Sequence, residues 1–139
     1  MDLGLQGRTA IVCGASSGIG LAIAEALARE GANVAMFARR RDVLEREAER
    51  LGALAVRGDV AVPADLERLV ERTVAAFGGV DILVNNGGGP PAGPAAAVTE
   101  ESLEAAIALL LHSAVRLTTL CLPYLERSGR GRIINTASS

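Results

Sequence analysis

Three glycines and two serines lie close together near the start of the chain, in the pattern Gly14-x3-Gly18-x-Gly20 with Ser16 and Ser17 inside it. Glycine permits sharp turns and close backbone approach. Backbone N–H groups at such a turn, followed by a helix N-terminus, bind anions, above all the diphosphate of a nucleotide. The pattern therefore predicts a phosphate-binding loop with serine hydroxyls beside the phosphate. A tight strand-to-helix turn without a ligand is the alternative.

Two arginines, Arg39 and Arg40, follow an apolar segment that ends at Ala38. In a dinucleotide site this position lies beside the adenine ribose, where an acidic residue favours NAD and an arginine accommodates the 2′-phosphate of NADP. The alternative is a solvated basic cluster. However, cations at a helix N-terminus oppose the helix dipole, and that cost indicates a use. We predict that NADP(H) is favoured over NAD(H).

Further polar residues follow other apolar segments, at the edge of the sheet where ligands bind. Asp59 could accept a hydrogen bond from an adenine amino group while Val60 packs on the ring, or Asp59 is a turn residue. Of Asn85 and Asn86, one amide could tie neighbouring strands together and the other could reach the cofactor, or both are turn residues. Ser138 could hydrogen-bond a substrate carbonyl, or serve as a cap or turn residue.

Short apolar segments alternate with helical ones along the chain, which predicts the elements that position these residues. The predicted strands are 9–13, 33–38, 54–56, 81–84 and 131–136, and the predicted helices are 18–30, one ending near 51, one from Pro63 to the glycines at 78 and 79, and 99–124, with a loop at 87–97. This order predicts an α/β fold with a doubly wound, Rossmann-type parallel sheet. We interpret residues 1–139 as a single dinucleotide-binding domain.

Composition restricts the function classes. The net charge is −2 and the sequence pI is about 5.4, so no basic face for nucleic acid is expected. No secretory start is present and no apolar run approaches the ~18 residues of a membrane span, so we expect a cytoplasmic protein that uses no membrane. Cys13 and Cys121 are predicted to be small buried hydrophobes, with neither a disulfide nor a metal site. The apolar middle of the 99–124 helix predicts a homo-oligomer contact.

Four segments together resemble the classical short-chain dehydrogenases/reductases, with 3-oxoacyl-carrier-protein reductases similar in style. They are Gly14-Ala15-Ser16-Ser17-Gly18-Ile19-Gly20, Gly58-Asp59-Val60, the segment 81–88 and the segment 131–138. The resemblance implies hydride transfer between NADP(H) and a small carbonyl or alcohol substrate. It also implies cofactor contacts from Gly14, Ser16, Ser17, Ile19, Arg39, Asp59, Val60 and Asn86, with Ser138 as the catalytic serine and the 99–124 helix in a dimer interface.

The sequence departs from the family pattern in several places. Cys13 replaces the usual threonine, Gly87 replaces an alanine, and Leu110 lies where the family often has a catalytic asparagine. The chain has 14 arginines and no lysine, so the family's Tyr-x-x-x-Lys pair, expected soon after Ser138, is absent. We therefore expect an N-terminal part of the usual domain that is inactive alone. The alternative is a non-catalytic nucleotide-binding sensor or pseudoenzyme. A P-loop phosphotransferase is excluded, because its motif requires lysine.

Overall fold

Five parallel strands form one sheet, in the spatial order β3-β2-β1-β4-β5. A computed structural model describes residues 1–89 and 92–138. The strands are β1 (Thr9–Cys13), β2 (Asn33–Ala38), β3 (Leu54–Arg57), β4 (Ile82–Asn85) and β5 (Arg132–Asn135). Strand β1 lies in the middle, with β2 and β3 added on one side and β4 and β5 on the other. This is the doubly wound arrangement predicted from the sequence.

Helices cover both faces of this sheet. They are α1 (Gly18–Arg29), α2 (Arg41–Leu51), α3 (Pro63–Phe77), α4 (Glu100–Ile107) and α5 (Ser113–Ser128), with a π-helical segment at Ala108–His112 that joins the last two. Strand β1 is buried along its whole length. Its alternate side chains enter two separate cores: Ile11 and Cys13 pack with residues of α3 and α5, whereas Ala10 and Val12 pack with residues of α1 and α2. Two covered faces explain why this strand is apolar at nearly every position.

The long helix runs further than the sequence predicted. Thr99 caps it as expected, in a reciprocal capping box with Ser102, but the helix ends at Ser128 and not near Tyr124. Pro123 lies inside it. Proline in a helix costs about 3 kcal/mol, yet the turn beyond it is anchored, because Leu125 is buried and the Ser128 hydroxyl donates to the Asp81 carboxylate.

The expectation that no apolar segment approaches the length of a membrane span is wrong. One helix is long enough and apolar enough to cross a membrane, by length and composition only. Residues 100–128 form 29 consecutive helical residues with a window of mean hydropathy 1.7. One stripe of this helix, including Leu117, Cys121 and Leu125, is buried against the sheet. Its other apolar side chains, among them Leu111 and Val115, are exposed.

Smaller differences occur at the ends of elements. Strand β3 extends to Arg57, one residue beyond its predicted end. The predicted loop 87–97 contains a short 3₁₀ helix at Ala95–Ala97, and its residues 90 and 91 lie outside the described part of the chain. Strand β5 forms one edge of the sheet and is exposed throughout, including Ile133 and Ile134.

Candidate functional site

The glycine-rich turn links β1 to α1 through contacts that leave no room for side chains. Gly14 has a positive φ of 59°, and a Cβ there would lie 2.7 Å from the Asn86 backbone oxygen. A Cβ on Gly20 would lie only 2.1 Å from the Gly14 carbonyl oxygen. The start of α1 therefore lies directly against the end of β1, as predicted. Gly18 also has a positive φ, 57°, with open space around it.

A cavity of about 730 Å³ opens beside this turn, along the carboxyl ends of β1, β2 and β3. All of the predicted cofactor residues except Gly18 and Gly20 line it. They are Gly14, Ser16, Ser17, Ile19, Arg39, Arg40, Asp59, Val60 and Asn86. Gly18 and Gly20 instead shape the turn that forms one wall.

Two arginines line the cavity at the carboxyl end of β2, the strand next to β1. Arg39 and Arg40 are both exposed. Within residues 1–89 and 92–138 neither guanidinium lies within 4.0 Å of a carboxylate, whereas the neighbouring Arg41 pairs with Glu45 at 3.0 Å. In the described structure this part of the cavity thus carries two guanidinium groups with no carboxylate at ion-pair distance.

The turn after β3 has a fixed geometry that the sequence left open. The Asp59 Oδ1 atom accepts from the Ala61 N–H at 2.9 Å, so Asp59 does act as a turn residue. The Asp59 N–H in turn donates to Asp65 Oδ2 at 2.9 Å. That hydrogen bond, followed by one from Arg68, holds the pKa of Asp65 below its ordinary value. The contact of Asp59 with an adenine amino group stays a prediction.

Both asparagines at the carboxyl end of β4, Asn85 and Asn86, tie strand ends together. The Asn85 Nδ2 atom donates to Asn135 Oδ1 at 2.9 Å. The Asn86 Nδ2 atom donates to the Cys13 carbonyl at 3.3 Å, and its Oδ1 accepts from the Thr136 hydroxyl at 2.8 Å. The prediction that one of the two side-chain amides ties neighbouring strands together is confirmed, and the other amide does the same. Asn86 still lines the cavity, so its contact with a cofactor also stays a prediction.

A second cavity, of about 840 Å³, adjoins the first. The two share several wall residues, among them Ile19, Asn86, Gly87 and Leu109. Ser138 lies on the wall of the second cavity, past the end of β5. Leu110, in the π-helical segment, lines it too and presents an apolar side chain there. The two cavities are thus neighbours, and Ser138 belongs to the second of them.

The family assignment follows from comparison with known proteins. The short chain dehydrogenase family matches residues 8–139. The chain belongs to this family. It is similar to D-beta-hydroxybutyrate dehydrogenase of Cupriavidus necator, 39% identical over 97% of this chain and 54% of that protein. It is also similar to an oxidoreductase of Sarocladium schorii, 36% identical over 97% of this chain and 55% of that protein.

A solved structure has the same fold. The crystal structure of L-sorbose reductase from Gluconobacter frateurii, complexed with NADPH and L-sorbose, superposes with a TM-score of 0.94 at 41% identity. The match covers 99% of this chain and 55% of that one. The chain thus spans about half the length of the relatives it matches. Membership of an oxidoreductase family and a Rossmann-like parallel sheet are established by these similarities.

Sequence reasoning missed two residues at this edge of the sheet. Arg57 ends β3, and its Nε atom donates to the Arg39 carbonyl at 3.2 Å. Thr136 follows β5 and positions Asn86. The signal was available for both, because each is a polar residue at the carboxyl end of a parallel strand, where ligands and their supports collect.

Proposed function

We propose that this chain is the NADP(H)-binding part of a short-chain reductase or dehydrogenase that acts on a small carbonyl or alcohol substrate. The observation that carries the proposal is the lining of two adjoining cavities: the glycine turn and the two arginines Arg39 and Arg40 line the first, and Ser138 lines the second. The NADPH and L-sorbose of the Gluconobacter reductase support this type of ligand pair.

The residues present fit such a dinucleotide. Turns with a glycine at positive φ and a helix start beside it offer backbone N–H groups to a diphosphate. Guanidinium groups without a carboxylate partner suit a 2′-phosphate, because arginine matches phosphate oxygens in a bidentate fashion. Val60 and Asp59 line the same cavity after the end of β3, where an adenine ring would lie.

In this proposal the chain positions the cofactor and the substrate carbonyl, and the cofactor, when bound, supplies the hydride. The glycine turn and the arginines fix the cofactor along the cavity. Ser138 donates its hydroxyl hydrogen to the substrate carbonyl oxygen and so polarises the carbonyl carbon. Asn85 and Asn86 keep the ends of β1, β4 and β5 in register around that point.

A second candidate is nucleotide binding without turnover. One observation favours it: Leu110 is apolar where the family often has asparagine. We further propose a homo-oligomer through residues 100–128, supported by exposed apolar side chains such as Leu103, Leu111 and Val115 on that helix.

The proposal is tested by cofactor binding to Arg39→Asp, with Arg41→Asp as the matched control, since Arg41 pairs with Glu45 and does not line the cavity. Hydrogen bonds to a charged group are worth about 2 kcal/mol, so the Kd for NADPH should rise roughly 30-fold in Arg39→Asp. The Kd for NADH should change little.

Titration calorimetry measures both constants. Equal losses for NADPH and NADH would mean that Arg39 does not bind the 2′-phosphate. An unmodified chain that binds neither nucleotide would refute the site itself. Turnover of a panel of small carbonyl compounds by the unmodified chain would exclude the non-catalytic candidate.

A further inference from the structure

A chain of hydrogen bonds joins α3 to the turn between β2 and α2, and Arg57 lies at its centre. Arg57 is the last residue of β3 and lies opposite Ala38 in the parallel register. Its side chain reaches across this strand pair, and its Nε atom donates to the Arg39 carbonyl oxygen at 3.2 Å. The peptide that carries one of the cavity's arginines is thus held by another arginine outside the cavity wall.

The backbone of Arg57 is itself fixed from the other side. Arg68 of α3 donates to the Arg57 carbonyl oxygen, and its Nη1 atom pairs with Asp65 Oδ1 at 2.8 Å. The other oxygen of Asp65 accepts from the Asp59 N–H at 2.9 Å. Arg57 therefore extends from a rigid base toward Arg39, and this base also holds the turn that carries Asp59.

The charge of Arg57 acts in the same corner. Arg57 is exposed, and its charge adds a small contribution to the hydrogen bonds from the Asp59 N–H and from Arg68 that lower the pKa of the Asp65 carboxyl. The ion pair of that carboxyl is with Arg68. Arg57 thus adds a third cation next to the Arg39 peptide, on the side of the cavity formed by the ends of β2 and β3.

We infer that Arg57 is a specificity-determining positioning residue: it holds the Arg39 peptide at the cavity rim and adds positive charge there, so it favours a nucleotide with a 2′-phosphate over one with a 2′-hydroxyl. This inference rests on the proposed function. A residue that merely stabilised the fold would affect both nucleotides equally, so the ratio of the two affinities separates the roles.

The chain offers a matched control in Arg72. Its Nη1 atom donates to the Ala55 carbonyl at 3.3 Å, so it also makes a hydrogen bond from an exposed arginine to a backbone carbonyl near β3. Arg72 does not line the cavity and is not bonded to Arg39. Arg72→Met therefore removes the same kind of hydrogen bond and the same charge but leaves the hydrogen bond to the Arg39 carbonyl in place.

The experiment measures the Kd of NADPH and of NADH for the full chain and for Arg57→Met, Arg57→Lys and Arg72→Met. Arg57→Met should raise the Kd of NADPH about tenfold, less than Arg39→Asp does because Arg57 acts through the Arg39 peptide and through its charge, and should leave that of NADH within about twofold. Arg57→Lys keeps the positive charge but not the planar guanidinium. Its Kd for NADPH should lie between the values of the unmodified chain and Arg57→Met. Arg72→Met should leave the ratio unchanged.

Equal rises in both constants for Arg57→Met, or an unchanged ratio, would overturn the inference. A ratio that depends on Arg39 but not on Arg57 would overturn it while the proposed function stands. No preference for NADPH in the unmodified chain would overturn both. Urea unfolding midpoints of the variants, compared with the unmodified chain, confirm that each is folded during the titrations.

Discussion

A methyl group added at Gly20 should destabilise the protein more than its small size suggests. The Cβ of Gly20→Ala would lie 2.1 Å from the Gly14 carbonyl oxygen and 2.7 Å from the Asn86 Nδ2 atom. The first of these neighbours is backbone, so no side-chain rotation can relieve the contact. Either α1 moves away from β1 or the turn at Gly14 deforms.

The expected change in the free energy of unfolding follows from two opposing effects of Gly20→Ala. Overpacking in a rigid environment costs up to about 3 kcal/mol, and replacing glycine by alanine in a helix returns up to about 1 kcal/mol. The net loss in the free energy of unfolding should be about 2 kcal/mol. With a urea m value of roughly 2 kcal/mol/M, the unfolding midpoint should fall by about 1 M.

Urea unfolding followed by far-UV circular dichroism measures this change. Gly79→Ala is the control, because a Cβ there would meet nothing within 4 Å and Gly79 does not have a positive φ. Its midpoint should change little. If the midpoint of Gly20→Ala fell no further than that of Gly79→Ala, the close approach of α1 to β1 would not be rigid. The assigned role of this glycine would then be wrong.

Two further predictions concern titratable groups. Although burial acts to raise the pKa of Asp81, hydrogen bonds from Ser128 and the Thr9 N–H and the charge of Arg8 hold it below the ordinary 3.8. This carboxylate therefore stabilises the fold above that pH, and the contribution disappears as the pH falls through the lowered folded value. The urea midpoint should thus fall in acid, and less steeply in Asp81→Asn; equal slopes would contradict this. Burial raises the pKa of both Cys13 and Cys121 to about 12, so neither should react with a disulfide reagent at neutral pH until the protein unfolds. Rapid labelling of the native protein would show that these thiols are accessible.

Much of the fold could be predicted because its signals are local. Strand β1 is apolar at nearly every position, and such a run between turn residues indicates a strand covered on both faces. The turn at Gly14 could be predicted for the same reason, because the spacing of glycines indicates where the backbone turns sharply or is closely approached. That Arg39, Asp59 and Asn86 would meet also followed from a general rule, because the carboxyl ends of parallel strands share one edge of the sheet.

The rest depends on contacts between distant residues. Pro123 indicated the end of a helix, but burial of Leu125 and the bond from Ser128 to Asp81 extend the helix past it. No local pattern contains that information, because Asp81 is 47 residues away from Ser128 in sequence. The sequence left open which of Asn85 and Asn86 ties strands together. The bonds of Asn86 to Cys13 and Thr136 depend on β1 and β5 lying on either side of β4.

The order of the strands also sets the order in which the sheet can assemble. Strand β2 pairs with both β1 and β3, and all three lie within the first 57 residues, so this half can form while the remainder is still being synthesised. Strand β4 must then add to the opposite side of β1, across separations such as the 72 residues between Thr9 and Asp81. Until it arrives, one edge of β1 stays open. Non-local parallel pairing is slow, so the step that closes this edge should limit the folding rate and be the period of greatest exposure to aggregation.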